Sequence, residues 1–168
     1  MDRQLKPGSH AECAECALFS GMTDENEEGA KQIPIFVRST IVNDDDKHVT
    51  EIYTTAKFRQ RNGKSYITYD ESELLNASEQ RRTLTYRDGV VEIILFGQQT
   101  RSQIRLEIDR RHSNYYHTEY GVFEMTTMAR SIVWDDRAHH VRLEYDLDIS
   151  GNLSRVLIEI DEFKNGRG

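Results

Sequence analysis

Apolar and polar residues alternate strictly along the last third of the chain. The clearest run extends from His139 to Ile149, where the apolar positions are Val141, Leu143, Tyr145, Leu147 and Ile149, and the positions between them are Arg142, Glu144, Asp146 and Asp148. Successive side chains of a strand point to opposite faces of a sheet, so such a run buries one face and leaves the other in water. The pattern therefore predicts an antiparallel, half-solvated β architecture.

Similar runs predict strands along most of the chain after Ile33. We expect strands at Ile33–Ile41, Val49–Arg59, Ser65–Tyr69, Arg81–Arg87, Val90–Phe96, Gln103–Asp109, His139–Ile149 and Leu153–Phe163. Tyr115–Trp134 is long enough for one bent strand or two, with Gly121 as the expected kink. Asp70–Glu79 breaks the alternation and fits either a loop or a helical turn.

Short turn motifs separate several of these runs. Asn62-Gly63 and Asp88-Gly89 are the residue pairs that two-residue β-hairpins favour, and Ser150-Gly151-Asn152 joins the last two strands. Short strands with tight connections are typical of a sandwich or a barrel. The predicted fold class is all-β: an antiparallel up-and-down β-barrel of about eight strands.

Charge is distributed unevenly between the beginning of the chain and the rest. The chain has a net charge of −7 over 168 residues, and residues 1–32 hold seven acidic against three basic residues, which leaves only −3 for the remainder. We expect a disordered acidic tail at 1–32, a barrel domain at 33–163 and a short tail at 164–168. A domain so nearly balanced lacks the broad basic field that binds phosphate backbones, so no nucleic-acid partner is expected.

Targeting features are missing from the sequence. No apolar run approaches the roughly 18–20 residues that span a bilayer, and the apolar stretch Ala11–Phe19 is short and interrupted by Glu12 and Glu15. We therefore expect a cytoplasmic protein without a membrane partner.

The two cysteines, Cys13 and Cys16, have the spacing of a zinc-binding or redox pair. A structural zinc ion needs four ligands, and only His10 lies nearby in the sequence. The βαβ context of a redox motif is also missing. An incidental pair in the tail is the favoured interpretation, so neither a metal nor a cofactor is expected, and a metal site on the two cysteines is the weaker alternative.

Five short strings carry a resemblance to a known family: Val37–Ile41, Tyr66–Ser72, Tyr116–Gly121, Phe123–Thr127 and Leu143–Leu147. They consist of aromatic, threonine and glycine positions within strands. In their order and composition the chain resembles the YwiB family of bacterial proteins, a domain of unknown function (DUF1934). The resemblance implies a calycin-type, lipocalin-like β-barrel from residue 33 to about 163 and names no activity.

Several groups of polar residues fit surface positions better than a catalytic site. Asp146 and Asp148 share a face at a spacing of roughly 6.5–7 Å, which a carboxylate pair could use, but Arg142 and Glu144 share that face as well. His139 and His140 are neighbours and point to opposite faces, while His112 and His117 fit surface or turn positions.

Aromatic residues cluster around Tyr115, Tyr116, Tyr120, Phe123 and Trp134. A tyrosine combines an apolar ring with a polar hydroxyl, which suits the mouth of a barrel that holds a small ligand, and Arg82, Arg87 or Arg105 could add a cation. The predicted ligand-binding residues are Arg82, Arg105, Tyr116, Thr118 and Tyr120. A barrel filled by its own side chains is favoured over a hollow one, and the facing of Thr54, Thr68, Thr118 and Thr127 stays open.

These observations lead to one functional prediction with two alternatives. We expect a non-enzymatic β-barrel that binds a small, partly apolar ligand or a protein partner. The alternatives are an enzyme with its site at the barrel rim and a purely structural or interaction module. A homodimer is compatible with each of them.

Overall fold

The computed structural model describes residues 29–71, 80–98 and 100–164. Ten strands account for most of them: β1 (Lys31–Asn43), β2 (Asp46–Arg61), β3 (Lys64–Asp70), β4 (Gln80–Arg87), β5 (Val90–Gly97), β6 (Arg101–Leu106), β7 (Arg111–Thr118), β8 (Gly121–Asp135), β9 (His140–Ile149) and β10 (Asn152–Glu162). Residues 1–28 of the predicted tail, which include Cys13 and Cys16, lie outside the described residues, as do 72–79, 99 and 165–168. The last residues of the predicted tail, Lys31 and Gln32, belong to β1.

The strands form a closed antiparallel barrel in which each strand pairs with its neighbours in sequence. β1 pairs with β10 and closes the ring, so the predicted all-β, up-and-down barrel is confirmed. The described barrel has ten strands rather than about eight. Tyr115–Trp134 is not one bent strand, because the chain reverses at Glu119-Tyr120 and Gly121 starts β8.

Two hairpins have the turn residues that the sequence predicts. Asn62 and Gly63 have φ of 52° and 75°, and Asp88 and Gly89 have φ of 50° and 81°. Positive φ at both central residues defines the type I′ geometry, whose twist matches that of the flanking strands. These turns fix the register of β2 with β3 and of β4 with β5.

Replacing Gly63 by alanine is expected to lower the free energy of unfolding by about 1 kcal/mol. No atom lies within 4 Å of a Cβ built at Gly63, so the cost arises from the left-handed backbone conformation alone. Chemical denaturation measures the difference. Asn62→Gly, which makes the same conformation easier to adopt, is the control, and an equal loss in both variants would contradict the assignment.

The barrel interior is packed with aliphatic side chains at its centre. The largest fully buried side chains are Ile35, Ile67, Leu84, Val91, Ile93, Leu106, Thr127, Val141, Leu143 and Ile160. Most of them alternate with more exposed residues along their strands, as β9 shows between Val141 and Tyr145. In β4, by contrast, the threonines on either side of Leu84 are also buried. The predicted half-solvated pattern therefore corresponds to the barrel wall.

One end of the barrel is closed by a polar and aromatic cluster around Asp136. The Asp136 carboxylate accepts hydrogen bonds from Ser65 Oγ at 2.9 Å, Gln60 Nε2 at 3.0 Å and Trp134 Nε1 at 3.0 Å. The Trp134 ring stacks on Tyr86 with 5.2 Å between ring centroids. These contacts join β8 to strands on the other side of the barrel and close this end.

The wall is irregular between β6 and β7, which pair at only two positions, Arg101 with His117 and Ser102 with Tyr116. Beyond these pairs, the Thr127 hydroxyl donates a 2.9 Å hydrogen bond to the Arg105 carbonyl oxygen. Thr127 is buried on the interior side of β8. A side chain therefore satisfies a backbone acceptor where the strand ladder is interrupted.

The carboxylate of Asp146 belongs to an ion-pair network on the outer face. Arg130 Nε lies 2.9 Å from both Asp146 oxygens, and Arg155 Nε lies 3.3 Å from one of them. The hydrogen bond from Arg130, assisted by Arg155, lowers the pKa of Asp146. Asp148 instead accepts a hydrogen bond from the Gly151 backbone, so both carboxylates have structural contacts.

Candidate ligand site at the barrel mouth

The end of the barrel opposite the Asp136 cluster is the barrel mouth, where β3 ends and β4 begins. A row of directly paired residues runs across six strands here: Tyr69, Arg82, Leu95, Ser102, Tyr116 and Phe123. Directly opposite residues of paired strands lie on the same face of a sheet. Because Tyr69 is buried and Tyr116 packs against the core, the shared face is the interior.

The alternation of β3 and β4 explains why two polar groups enter the interior. Tyr69 is two residues from Ile67, and Arg82 is two residues from Leu84, and both aliphatic side chains are fully buried. The period of two then places Tyr69 and Arg82 on the same interior face. Arg82 is thus an arginine on the face that elsewhere forms the aliphatic core.

Glu71 is the ionic partner of Arg82. Its backbone N–H donates a 2.8 Å hydrogen bond to the Gln80 carbonyl oxygen, which extends the β3–β4 pairing and fixes Glu71 beside Arg82. Arg82 Nη2 donates to Glu71 Oε2 at 3.3 Å, and Arg82 Nε lies 2.8 Å from Glu71 Oε1. The side chains remain 23% and 11% exposed, so the pair is largely buried and still reaches solvent.

One nitrogen of Arg82 is not satisfied by this pairing. Nε is close to Glu71 Oε1, but its N–H is not aligned with that oxygen, and it has no hydrogen-bond acceptor among the described residues. A buried donor without an acceptor costs free energy. Nε itself is enclosed, so a ligand acceptor at the mouth would meet the other N–H groups of the guanidinium.

Two buried tyrosines flank the ion pair. Burial raises the pKa of Tyr69, with a further increase from Glu71 that Arg82 opposes, and burial raises the pKa of Tyr145 to about 12. Burial lowers the pKa of Arg82, but the nearby Tyr69 and Glu71 more than offset this and hold it above the ordinary value. At neutral pH the site therefore combines an arginine cation with two protonated hydroxyls.

The stability of the protein at alkaline pH is expected to depend on these two buried tyrosines. The Tyr145 pKa is higher in the folded chain than the ordinary 10.0, so its contribution to stability is complete below pH 10 and is lost as pH rises toward about 12. Urea unfolding between pH 9 and 12 should show a steep loss of stability in the native sequence. The loss should be shallower in Tyr69→Phe/Tyr145→Phe, and identical slopes would contradict the burial of the two hydroxyls.

The structure distributes the five predicted ligand-binding residues over three places. Arg82 and Tyr116 lie on the interior row at the mouth. Arg105 lies on the outer face, 46% exposed, with its Nη1 3.8 Å from Glu92 Oε2. Thr118 and Tyr120 form the β7–β8 turn, where the Tyr120 N–H donates to Thr118 Oγ1 at 3.1 Å. The prediction that these five residues bind a ligand stays a prediction, and the outer-face position of Arg105 separates it from the interior row.

Three residues of the site were not among the predicted ones: Tyr69, Glu71 and Tyr145. The alternation gave a usable signal for both tyrosines, since each shares its face with aliphatic residues of the same strand. Glu71 carries no such signal, because it follows the end of β3. Its role depends on the pairing of Tyr69 with Arg82, which brings the end of β3 beside β4.

Three of the five histidines among the described residues lie close to a carboxylate. His139 Nδ1 lies 2.8 Å from Glu162 Oε2, His140 Nδ1 lies 2.6 Å from Asp161 Oδ1, and His112 Nε2 lies 3.2 Å from Glu107 Oε1. Within residues 29–71, 80–98 and 100–164, no group of three or more histidine, cysteine or acidic residues could hold a metal ion. In the same ranges, no helix has the length and apolar character of a membrane span.

Comparisons with known proteins identify a family and a fold. A family model described as a domain of unknown function (DUF1934) matches residues 35–157. The crystal structure of the ywiB protein from Bacillus subtilis is similar with a TM-score of 0.62 and 22% identity, over 81% of this chain and 96% of that chain. No curated protein matches the chain. The similarity to the solved structure concerns the fold alone.

Proposed function

The chain belongs to the DUF1934 family, as its sequence resemblance predicts, and since that family has no known function we propose one from the barrel mouth itself. We propose that the protein is a binding protein for a small, partly apolar molecule, which enters the mouth and contacts Arg82. This is the use that lipocalin-like barrels make of their interior. We expect the protein to act in the cytoplasm.

The observation that carries the proposal is the Arg82–Glu71 pair inside the barrel. Removing two charges from water costs several kcal/mol per ion, and a well-packed apolar pair is often as stable. A barrel that needed only a core could place aliphatic residues at both positions. Ionised groups held inward at an accessible end of an apolar interior are typical of a binding site.

The neighbouring residues suit a ligand with an apolar body. Leu95, Tyr116 and Phe123 follow Arg82 along the interior row, and Phe123 remains 39% exposed. Below them the aliphatic core is fully buried, which supports a ligand seated at the mouth rather than deep in the barrel. Apolar contacts would supply most of the affinity, and Arg82 would orient the polar end of the ligand.

An enzyme with its site at the rim is the alternative among catalytic functions. The pKa of Tyr145 at about 12 keeps its hydroxyl protonated at neutral pH, which makes this residue a poor general base. The contacts at the mouth therefore favour binding. A protein partner on the outer face stays a separate alternative.

Prodan, a neutral fluorophore with an apolar naphthalene ring and a carbonyl oxygen, tests the proposal. We expect its emission to shift to the blue and to saturate on titration with the native protein. The double variant Glu71→Gln/Arg82→Met, which removes both charges together, should weaken binding by about tenfold through loss of one charged hydrogen bond.

Arg105→Met is the matched control, because Arg105 carries the same charge on the outer face. It should leave the Prodan affinity unchanged. The proposal fails if Prodan does not bind to the native protein, or if the two variants bind it equally well.

A further inference from the structure

We propose that the ligand's polar end is an uncharged hydrogen-bond acceptor, such as a ketone or amide carbonyl, and that Glu71 is the residue that excludes anionic ligands. The inference rests on the proposed binding function and adds the chemical class of the ligand. Its basis is the charge and the hydrogen-bonding capacity of the groups that meet at the mouth.

Glu71 already supplies the negative charge that Arg82 needs. Both Glu71 oxygens approach the guanidinium, Oε1 at 2.8 Å from Nε and Oε2 at 3.3 Å from Nη2. A ligand carboxylate bound to the same guanidinium would lie within a few ångströms of the Glu71 carboxylate. Two like charges at that distance in a weakly solvated site repel each other strongly.

The donors of the site outnumber the acceptors that Glu71 provides. A guanidinium has five N–H donors in a planar arrangement, and a single carboxylate cannot accept from all of them. The two Glu71 oxygens approach the guanidinium at Nε and Nη2, so other N–H groups of Arg82 can donate to a ligand. A carbonyl oxygen can accept a hydrogen bond from such a group without adding charge.

The rest of the described interior row adds no second cation. From Leu95 onward it consists of a leucine, a serine, a tyrosine and a phenylalanine, and Gln80 next to Glu71 is also uncharged. Tyr69 and Tyr145 contribute hydroxyls that stay neutral at physiological pH, since burial raises the pKa of each. Among the described residues of this interior face, Arg82 and Glu71 therefore supply one positive and one negative charge.

Competition between two matched ligands tests the inference. 2-Octanone and octanoate have the same chain length and differ in the charge of the polar end, and each is titrated against Prodan bound to the native protein. We expect 2-octanone to displace Prodan with an affinity at least about tenfold higher than that of octanoate, because only octanoate meets Glu71 with a like charge.

Glu71→Gln should abolish this preference. The substitution keeps the size of the side chain and leaves the Arg82 cation without its counter-ion, so octanoate should gain about tenfold in affinity. Glu92→Gln is the matched control on the outer face, where Glu92 faces Arg105 and Lys64, and it should change neither affinity.

The outcomes separate this inference from the proposed function. If Prodan binds and octanoate competes as well as 2-octanone in the native protein, Glu71 does not exclude anions and the inference is overturned. If Prodan itself does not bind to the native protein, the proposed function fails. The comparison in the native protein decides the question even if Glu71→Gln does not fold.

Discussion

Replacing Arg82 by methionine is expected to lower the free energy of unfolding by about 3 kcal/mol, because it leaves the Glu71 carboxylate largely buried without a counter-ion. The Glu71 side chain is 11% exposed, and its oxygens lie 2.8 Å and 3.3 Å from guanidinium nitrogens that methionine lacks. Methionine retains the length of the aliphatic stem, so lost packing contributes little. Urea denaturation at neutral pH measures the loss.

A double-mutant cycle separates the ion pair from other effects of the substitution. Glu71→Gln/Arg82→Met removes both charges and should recover most of the stability that Arg82→Met loses. Arg105→Met, on the outer face, should change the stability by less than about 0.5 kcal/mol. A double variant that is as unstable as Arg82→Met would show that the buried charge is not the cause.

Replacing Leu143 by alanine is expected to cost about 4 kcal/mol, through lost apolar burial and the cavity that remains. Leu143 lies at the centre of β9 with no exposed surface, paired with Ile132 on β8 and Ile158 on β10. These neighbours belong to strands on both sides of β9, which hydrogen bonds hold in place. The interior therefore has little freedom to collapse into the space.

Leu153→Ala is the matched control for this substitution. Leu153 is 61% exposed on β10, so the same chemical change there should cost less than about 1 kcal/mol. Thermal and urea unfolding of both variants give the comparison. Similar losses at the two positions would contradict the assignment of Leu143 to the barrel core.

The sequence predicts the barrel wall well because a strand's period of two appears directly in the residue pattern. Val141 and Leu143 are buried while Arg142 and Glu144 between them remain partly exposed, as the alternation requires. The Asn62-Gly63 and Asp88-Gly89 pairs also predict their hairpins, since few residue pairs adopt positive φ at both turn positions. Both patterns involve residues that are close together in the sequence, so they can be recognised before the fold is known.

The number of strands is harder to predict from the sequence, because it depends on contacts that form only in the folded chain. Glu119-Tyr120 forms the β7–β8 turn without a residue pair that favours it, and Gly121, with φ of 140°, follows as the first residue of β8. Thr118 stabilises this turn through its side-chain oxygen, which accepts from Tyr120 N–H and donates to the Gly121 carbonyl oxygen. These contacts form only in the folded turn, so no periodic pattern in the sequence predicts the turn.

The candidate site shows the same division between local and long-range information. The alternation predicts that Arg105 lies on the opposite face of its strand from Ile104 and Leu106, and in the structure Arg105 lies on the outer face. Arg82 shares its face with Leu84 at a spacing of two, but its charge contradicts the apolar pattern by which an interior face is recognised. Its proximity to Tyr145 depends on closure of the ring, which sets β4 opposite β9.

The most direct test of ligand binding at the mouth is the NMR signal of the Arg82 Nε–Hε group, assigned by its loss in Arg82→Lys. On titration with 2-octanone we expect this signal to shift progressively and to saturate, because a carbonyl oxygen accepts a hydrogen bond from the guanidinium. The Arg105 Nε–Hε signal on the outer face should stay in place. An Arg82 signal that does not move while 2-octanone binds, or equal shifts at Arg82 and Arg105, would contradict a ligand site at the barrel mouth.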